Sequence, residues 1–322
     1  AHRQAVNAVV NRIVAQPERG GAAEAAHPLA ALWQDSVDEE VKAQQLSTLG
    51  FAPQAILQRL RDLKQGARYR QLSNQAQVRL DALMPQIIQA AADTEHPDQT
   101  LHRWCDFIDT VSRRSSYWAL LHEHPDALNT LAEVMGSSSW MAEYLNRHPI
   151  LLDELLSAQL MDTSHDWPLL RQSLQQSLAA CGGDVEAQMD SLRHFQHAQV
   201  FRLAVQDLAG LWTVEALSDE LSALADCVVA VAMQQLWASL PKTHTDVPKL
   251  AVIGYGKLGD NELRYASDLD LVFVYDDPHP DAADQYARFV RRLTTWLSAT
   301  TPAGGLYPVD LRLRPDGDAG FA

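Results

Sequence analysis

Two hydrophobic rhythms divide the chain. From Leu29 to about Leu240, apolar residues recur at three- and four-residue spacing, the period of amphipathic helices. From Leu250 onward, short apolar runs and strict alternation take over, the period of strands. In the first region, Leu29 to Ala92 reads as helical, broken at Gly50 and Pro53, with Pro53 in the first turn of a new helix. Trp104, Phe107, Ile108 and Val111 form a buried stripe of the next helix. The pairs His124-Pro125 and His148-Pro149 precede apolar runs and predict two helix starts, while Gly136 and the serines 137–139 predict a turn. After Gly182-Gly183 a long helix is predicted from Val185 to about Leu208, with Val200, Leu203, Ala204 and Leu208 on its inner face. Another follows over about Val214 to Leu240, and Pro241 to Pro248 has the composition of a loop. Residues 1–28 read as a short helix and then a Gly- and Pro-punctuated loop.

The strand-like region carries the chemistry. LAVIGYGKLGDNELRYASDLDLVFVYDD, from Leu250 to Asp277, reads as strand, glycine turn, short helix and strand. Residues two apart on a strand share a face, so Asp268 and Asp270 aim together while Leu269 and Leu271 point into the core. Adjacent carboxylates repel, and a divalent cation relieves the repulsion; Mg2+ takes carboxylate, water and phosphate oxygens. In GLYPVDLRLRPDGDAG, from Gly305 to Gly320, Val309, Leu311 and Leu313 alternate with Asp310, Arg312 and Arg314. If this strand lies beside the first, Asp310 completes a three-carboxylate set for metal-assisted phosphoryl chemistry, and the guanidiniums suit bidentate phosphate contacts. Between the two, Ala282 to Thr300 reads as one amphipathic helix with Tyr286, Phe289, Val290, Leu293 and Leu297 on its buried stripe, ended by Pro302, Gly304 and Gly305. It supplies the crossover that brings the Asp310 strand alongside.

A glycine turn, Asp-Leu-Asp on a strand and a third Asp on a later strand resemble the polymerase-beta-like nucleotidyltransferases. GYGKLGDNELRYASDLDLVF and VDLRLRPDGDAG are similar to one family in particular, the glutamine synthetase adenylyltransferases. Ser112 to Tyr117, Trp140 to Leu156 and Leu192 to Gly210 carry the resemblance upstream, so that it spans about Leu83 to the end. It implies an α+β protein: a largely helical N-terminal region, then a nucleotidyltransferase domain with a mixed sheet. The corresponding division is residues 1–82 as a helical linker, 83–240 as a helical domain and 241–322 as the catalytic core, shortened at its C-terminal side.

The resemblance further implies two related halves in one polypeptide. One transfers AMP from ATP to a tyrosine of glutamine synthetase; the other removes it by phosphorolysis. The single motif set here is worded more like the adenylylating, C-terminal half. Asp268, Asp270 and Asp310 are the expected catalytic residues and Mg2+ ligands. Gly256, Lys257, Gly259, Ser267, Arg312 and Arg314 are the expected nucleotide-binding residues, with the turn's N–H groups toward the triphosphate and Ser267 either holding the turn or touching phosphate. One departure stands out: the position after the last glycine is usually small but here is Asp260, which avoids the phosphates only if it points away and caps the short helix. Expected partners are glutamine synthetase, ATP, a PII signal protein and glutamine as effector. Two alternatives remain, the deadenylylating half and a catalytically incomplete regulatory fragment.

Composition narrows the setting. Lys+Arg 26 against Asp+Glu 41 gives a net charge of −15, which argues against a general nucleic-acid binder. No apolar run approaches the ~20 residues that cross a bilayer, and the start has no signal-peptide pattern. Three scattered cysteines, Cys105, Cys181 and Cys227, fit a reducing cytoplasm. A chain that starts without Met and stops just past the third motif is expected to be a piece of a longer polypeptide.

Other features have simpler explanations. The basic run Arg59, Arg61, Lys64, Arg68 and Arg70 reads as a docking patch or, more simply, a solvated helix face. His122, His124, His194 and His197 lack the partners of a zinc set. Arg193, Arg202 and Asp207 either line a cleft or form salt bridges between helices. Gly254 to Gly259 matches the dinucleotide pattern GxGxxG, with Asp276 downstream. A parallel crossover, however, needs about a dozen residues or more, and only Asp260 to Ser267 separate the turn from the next strand.

Overall fold

The computed structural model describes residues 27–112, 116–241 and 243–311. Their contacts form two compact units: the described residues up to Leu160 together with Leu208–Gly210, and Met161–Asp207 together with the described residues from Leu211 onward.

The first unit is helical. Its elements are α1 (Ala30–Trp33), α2 (Glu39–Thr48), α3 (Pro53–Gln65), α4 (Ala67–Arg70), α5 (Asn74–Ala92), α6 (Pro97–Val111), α7 (Ser116–Glu123), α8 (Pro125–Ser137), α9 (Ser139–Arg147) and a 3-10 segment, Pro149–Leu156. Pro53 and Pro125 start their helices as the sequence predicts, because proline's missing N–H is not needed in a first turn. Pro149 starts a 3-10 run instead of an α-helix. Trp104, Phe107, Ile108 and Val111 are all buried, as their spacing predicts. Gly136 is no turn: it lies within α8, where an added Cβ would come 2.8 Å from the Thr100 hydroxyl. Four members of the basic run, Arg59, Arg61, Lys64 and Arg68, find partners inside this unit. Arg59 meets Asp106 at 2.6 Å, Arg61 meets Glu39 at 2.8 Å, Lys64 meets Asp35 at 2.9 Å, and Arg68 donates to the Asp109 carbonyl at 2.7 Å.

The second unit holds α10 (Trp167–Ala180), α11 (Val185–Leu208), α12 (Val214–Ser239), β1 (Leu250–Tyr255), α13 (Gly256–Gly259), β2 (Leu269–Tyr275), α14 (Ala282–Ser298) and β3 (Val309–Asp310). α12 packs on α14 through aromatic rings: Trp237 stacks on Tyr286 at 5.5 Å and meets Phe289 edge-on at 5.2 Å. The predicted stripe Tyr286, Phe289, Val290, Leu293 and Leu297 is buried. The sheet has the order β1-β2-β3, with β1 antiparallel to β2 and β2 parallel to β3, and is therefore mixed. The antiparallel β1–β2 pair removes the dinucleotide-fold alternative, which needs a parallel return. α14 is the long connection that parallel pairing of β2 and β3 requires. Among the described residues, no helix is long and apolar enough to cross a membrane.

Candidate functional site

The site grows from the way β1 turns into β2. An added Cβ on Gly254 would sit 3.0 Å from the Leu258 side chain, and one on Gly259 would sit 2.8 Å from the Gly254 carbonyl oxygen. The two glycines thus let the chain fold tightly back on itself. Gly256 has a φ of +55°, where L side chains are strained, and an added Cβ there would lie 2.5 Å from Asp270 Oδ2. Its bare Cα makes the room in which the Asp270 carboxylate sits. Lys257 and Gly259 lie on the four-residue helix that follows, and both are exposed.

That helix falls earlier than the sequence predicts. It covers Gly256–Gly259, and residues 260–268 hold no helix. Glu262 N–H donates to the Lys257 carbonyl at 2.7 Å and Asn261 N–H to the Leu258 carbonyl at 3.3 Å. Asn261 itself has a φ of 56°. This is a Schellman ending, with asparagine in the left-handed position that glycine usually takes. Asp260 is therefore the C-cap of α13 and is exposed. It sits at the end of the short helix and not at a helix start, because no helix begins there.

The turn before β2 is held by Ser267, which is buried. Its hydroxyl accepts from Arg264 N–H at 3.0 Å, and its own N–H donates to the Arg264 carbonyl at 3.1 Å. Of its two expected roles, holding the turn is visible. Tyr265, inside the same turn, donates its hydroxyl proton to Asp207 at 2.9 Å. Burial, with the nearby Asp207 charge, pushes the Tyr265 pKa well above its ordinary range, so the phenol remains a donor.

Asp268 and Asp270 leave this turn on one face of the chain, and the parallel pairing sets Asp270 opposite Asp310. Ligand oxygens of Asp268, Asp270 and Asp310 all lie within 4.8 Å of one another, and all three residues are half-buried. Among the described residues this is the one group with the donors and spacing to hold a metal ion, and no histidine belongs to it. Hard oxygen donors just before β2, on β2 and on β3 suit Mg2+, which binds through few carboxylates and retains sites for phosphate oxygens. Arg312 and Arg314 lie outside the described residues.

Arg193 and Asp207, which the sequence left undecided, find definite partners here. Arg193 forms neither a cleft wall nor an interhelical salt bridge. It is fully buried, and its guanidinium donates to the carbonyls of Met189, Trp296, Ala299 and Gly304. Asp207 accepts from the Tyr265 hydroxyl. A signal for Arg193 was present: it lies seven residues before Val200, on the same inner stripe of α11. His244, from the predicted loop, was missed. Its Nε2 lies 2.6 Å from Asp277 Oδ2 and its Nδ1 2.6 Å from Gln285 Oε1, joining the loop to the end of β2 and to α14.

Comparison with known proteins agrees with this geometry. The sequence profile described as glutamate-ammonia ligase adenylyltransferase matches residues 128–322, more than half of the chain. A bifunctional glutamine synthetase adenylyltransferase/adenylyl-removing enzyme of Neisseria meningitidis serogroup B is 58% identical over 320 residues, covering 99% of this chain and 36% of that protein. Proteins of the same description from Chromobacterium violaceum and Burkholderia pseudomallei are 54% and 46% identical over 298 and 329 residues, covering 92% and 99% of this chain and 33% and 35% of theirs. The chain thus spans about a third of the length of the curated relatives it matches. With an acidic triad on a mixed sheet behind a glycine turn, and a profile match across that whole region, the chain belongs to the glutamate-ammonia ligase adenylyltransferase family.

Proposed function

We propose that the chain is the adenylylating part of a bifunctional enzyme and transfers AMP from ATP to a tyrosine of glutamine synthetase, releasing pyrophosphate. The observation that carries the proposal is the convergence of Asp268, Asp270 and Asp310 within 4.8 Å beside a glycine turn. Residues 241–322 form the nucleotidyltransferase core in this reading, behind helical regions at 1–82 and 83–240. Asp268, Asp270 and Asp310 would hold the cation. Mg2+, when bound there, neutralises phosphate charge and acidifies the incoming hydroxyl, which has a pKa near 10 when free. Asp310 accepts the proton of that hydroxyl as its oxygen attacks the alpha-phosphorus and pyrophosphate departs. The backbone of Gly256, Lys257 and Gly259 lies against the triphosphate, Ser267 keeps the turn in register, and Arg312 and Arg314 offset developing negative charge.

The acceptor tyrosine belongs to another folded protein, so the helical regions are the natural docking surface for glutamine synthetase. A PII signal protein and glutamine as effectors follow from the family resemblance, as does a cytoplasmic setting. The deadenylylating half is the second reading. It uses the same carboxylates with phosphate as the nucleophile and an AMP-tyrosine protein as the substrate.

The test is incubation of glutamine synthetase with ATP labelled in its alpha-phosphate and the 322-residue chain, wild type beside Asp268→Asn. Label appears on glutamine synthetase with the wild type, and Asp268→Asn lowers the rate by at least about a hundredfold. Equal transfer by both proteins overturns the assignment. Release of AMP from pre-adenylylated glutamine synthetase in phosphate, without forward transfer, selects the second reading.

A further inference from the structure

Helix α11 touches the segments that lead into both β2 and β3. Near its middle, the buried Arg193 donates from Nε to the Gly304 carbonyl at 2.9 Å, and from Nη2 to the carbonyls of Trp296 at 2.9 Å and Ala299 at 2.5 Å. Its Nη1 donates to Met189 of the same helix at 2.8 Å. A guanidinium presents its five donors in one rigid plane, so these bonds fix three carbonyls relative to one another. All three lie on the last turn of α14 and the loop that follows it, the segment that delivers β3. At its end, α11 presents Asp207 to Tyr265, inside the turn that delivers Asp268 and β2.

Among the described residues, the ladder between β2 and β3 opens with two pairs. It pairs Leu269 with Val309 and Asp270 with Asp310, and Leu269 N–H adds one bond to the Pro308 carbonyl at 2.9 Å. The direction from which β3 arrives therefore sets where Asp310 stands against Asp270. A buried guanidinium is also a costly way to fill a core, since desolvation opposes its charge and an apolar side chain fills the same volume. Its contacts with the β3 approach give it a use that packing alone does not.

We infer that Arg193 and Asp207 are positioning residues. Acting from one helix, they set the approaches to β3 and β2 and thereby fix the spacing of Asp310 from Asp268 and Asp270 that divalent-cation binding requires. The inference rests on the metal-site reading proposed above, and its test is arranged to tell the two apart.

Mn2+ replaces Mg2+ as the probe, titrated into the 322-residue chain without nucleotide and followed by electron paramagnetic resonance. Asp268→Asn serves as the site control. Leu203→Ala, a fully buried core change on the same helix, serves as the stability control. Outer-shell groups of metal sites typically contribute 10–100-fold in affinity. Arg193→Met and Tyr265→Phe are each expected to weaken Mn2+ binding by about tenfold or more, at a temperature where every variant is folded. Leu203→Ala is expected to lower the unfolding midpoint and leave the affinity unchanged. Where Arg193→Met fails to fold, Arg193→Lys, which retains the charge but loses the planar fork, carries the same expectation, and Tyr265→Phe, which removes a single oxygen, tests the other arm. Wild-type affinity in the Arg193 and Tyr265 variants, with binding lost in Asp268→Asn, overturns the inference and leaves the metal site standing. Weakening by Leu203→Ala to the same extent also overturns it, since the effect is then general loosening. Identical titrations of wild type and Asp268→Asn remove the metal site and this inference with it.

Discussion

Gly256 is where backbone and chemistry meet most closely. Its positive φ alone disfavours any L side chain by about 1–2 kcal/mol. Its second constraint is the Asp270 oxygen that an added methyl would approach at 2.5 Å. Gly256→Ala is therefore expected to move the Asp270 carboxylate as well as strain the turn. The expected result is a Mn2+ affinity and an AMP-transfer rate each down by about tenfold or more. The thermal midpoint is expected to fall by only a few degrees, because Gly256 is exposed and supports no core. A lowered midpoint with unchanged metal affinity would separate backbone strain from the carboxylate and remove this argument. The glycines were legible in the sequence as a turn, but part of their reason was not. Gly259 and Gly254 answer to each other, and Gly256 answers to Asp270, relations that exist only once the β1–β2 pairing is formed. Asp260 shows the same limit. Sequence alone placed the short helix after the turn, whereas it lies one turn earlier and is closed by Asn261, whose tolerance of positive φ is a weak signal in a string of letters.

The larger elements were more readable, because periodicity survives whatever the tertiary contacts do. The long helix α11 and the crossover helix α14 lie where their apolar stripes placed them, and β2 runs one residue beyond its predicted apolar run. β3 pairs with β2 at Val309–Asp310 as the alternation predicts, and the alternating positions beyond Leu311 lie outside the described residues. The loop before β1 held a further surprise in the His244–Asp277 pair. The bond to Asp277, aided by that to Gln285, raises the His244 pKa, with Lys249 opposing. The bonds from His244 and Tyr286 hold the Asp277 carboxyl well below the usual range. His279 stacks on His244 at 4.3 Å and completes the cluster. The sign of the pH effect follows. The raised histidine contributes stability that is complete below about pH 6.5 and is lost as pH rises through its folded pKa. The lowered aspartate contributes stability that is complete above about pH 3.9 and is lost as pH falls through its folded pKa. The difference in unfolding midpoint between wild type and His244→Ala is therefore expected to be largest from about pH 4 to 6.5 and to shrink on either side. A difference that is flat from pH 5 to pH 9 would mean that the pair acts as a neutral hydrogen bond.

For the molecule as a whole, charge is the property that bears on the proposed reaction. A net charge of −15 has the same sign as the carboxylate cluster and as ATP. The summed field therefore draws divalent cations toward the site and opposes free nucleotide, so the cation's arrival is what makes the phosphates welcome. Screening separates these two effects. The Debye length falls from about 30 Å at 0.01 M salt to about 8 Å at 0.15 M. Distant acidic residues act across the longer distance and are largely silenced at the shorter one, while contacts within the cluster are screened much less. Raising NaCl across this range is thus expected to weaken Mn2+ binding and to strengthen the binding of ATP measured in EDTA. Electron paramagnetic resonance reads the first and calorimetry the second. The opposite signs are the informative part, since a general salt effect on folding or on ligand activity would move both affinities the same way. If ATP binding in EDTA weakens with salt instead, the cations proposed to bind the phosphates outweigh the net charge. The nucleotide would then be able to bind ahead of the metal, and the order of assembly argued here would reverse.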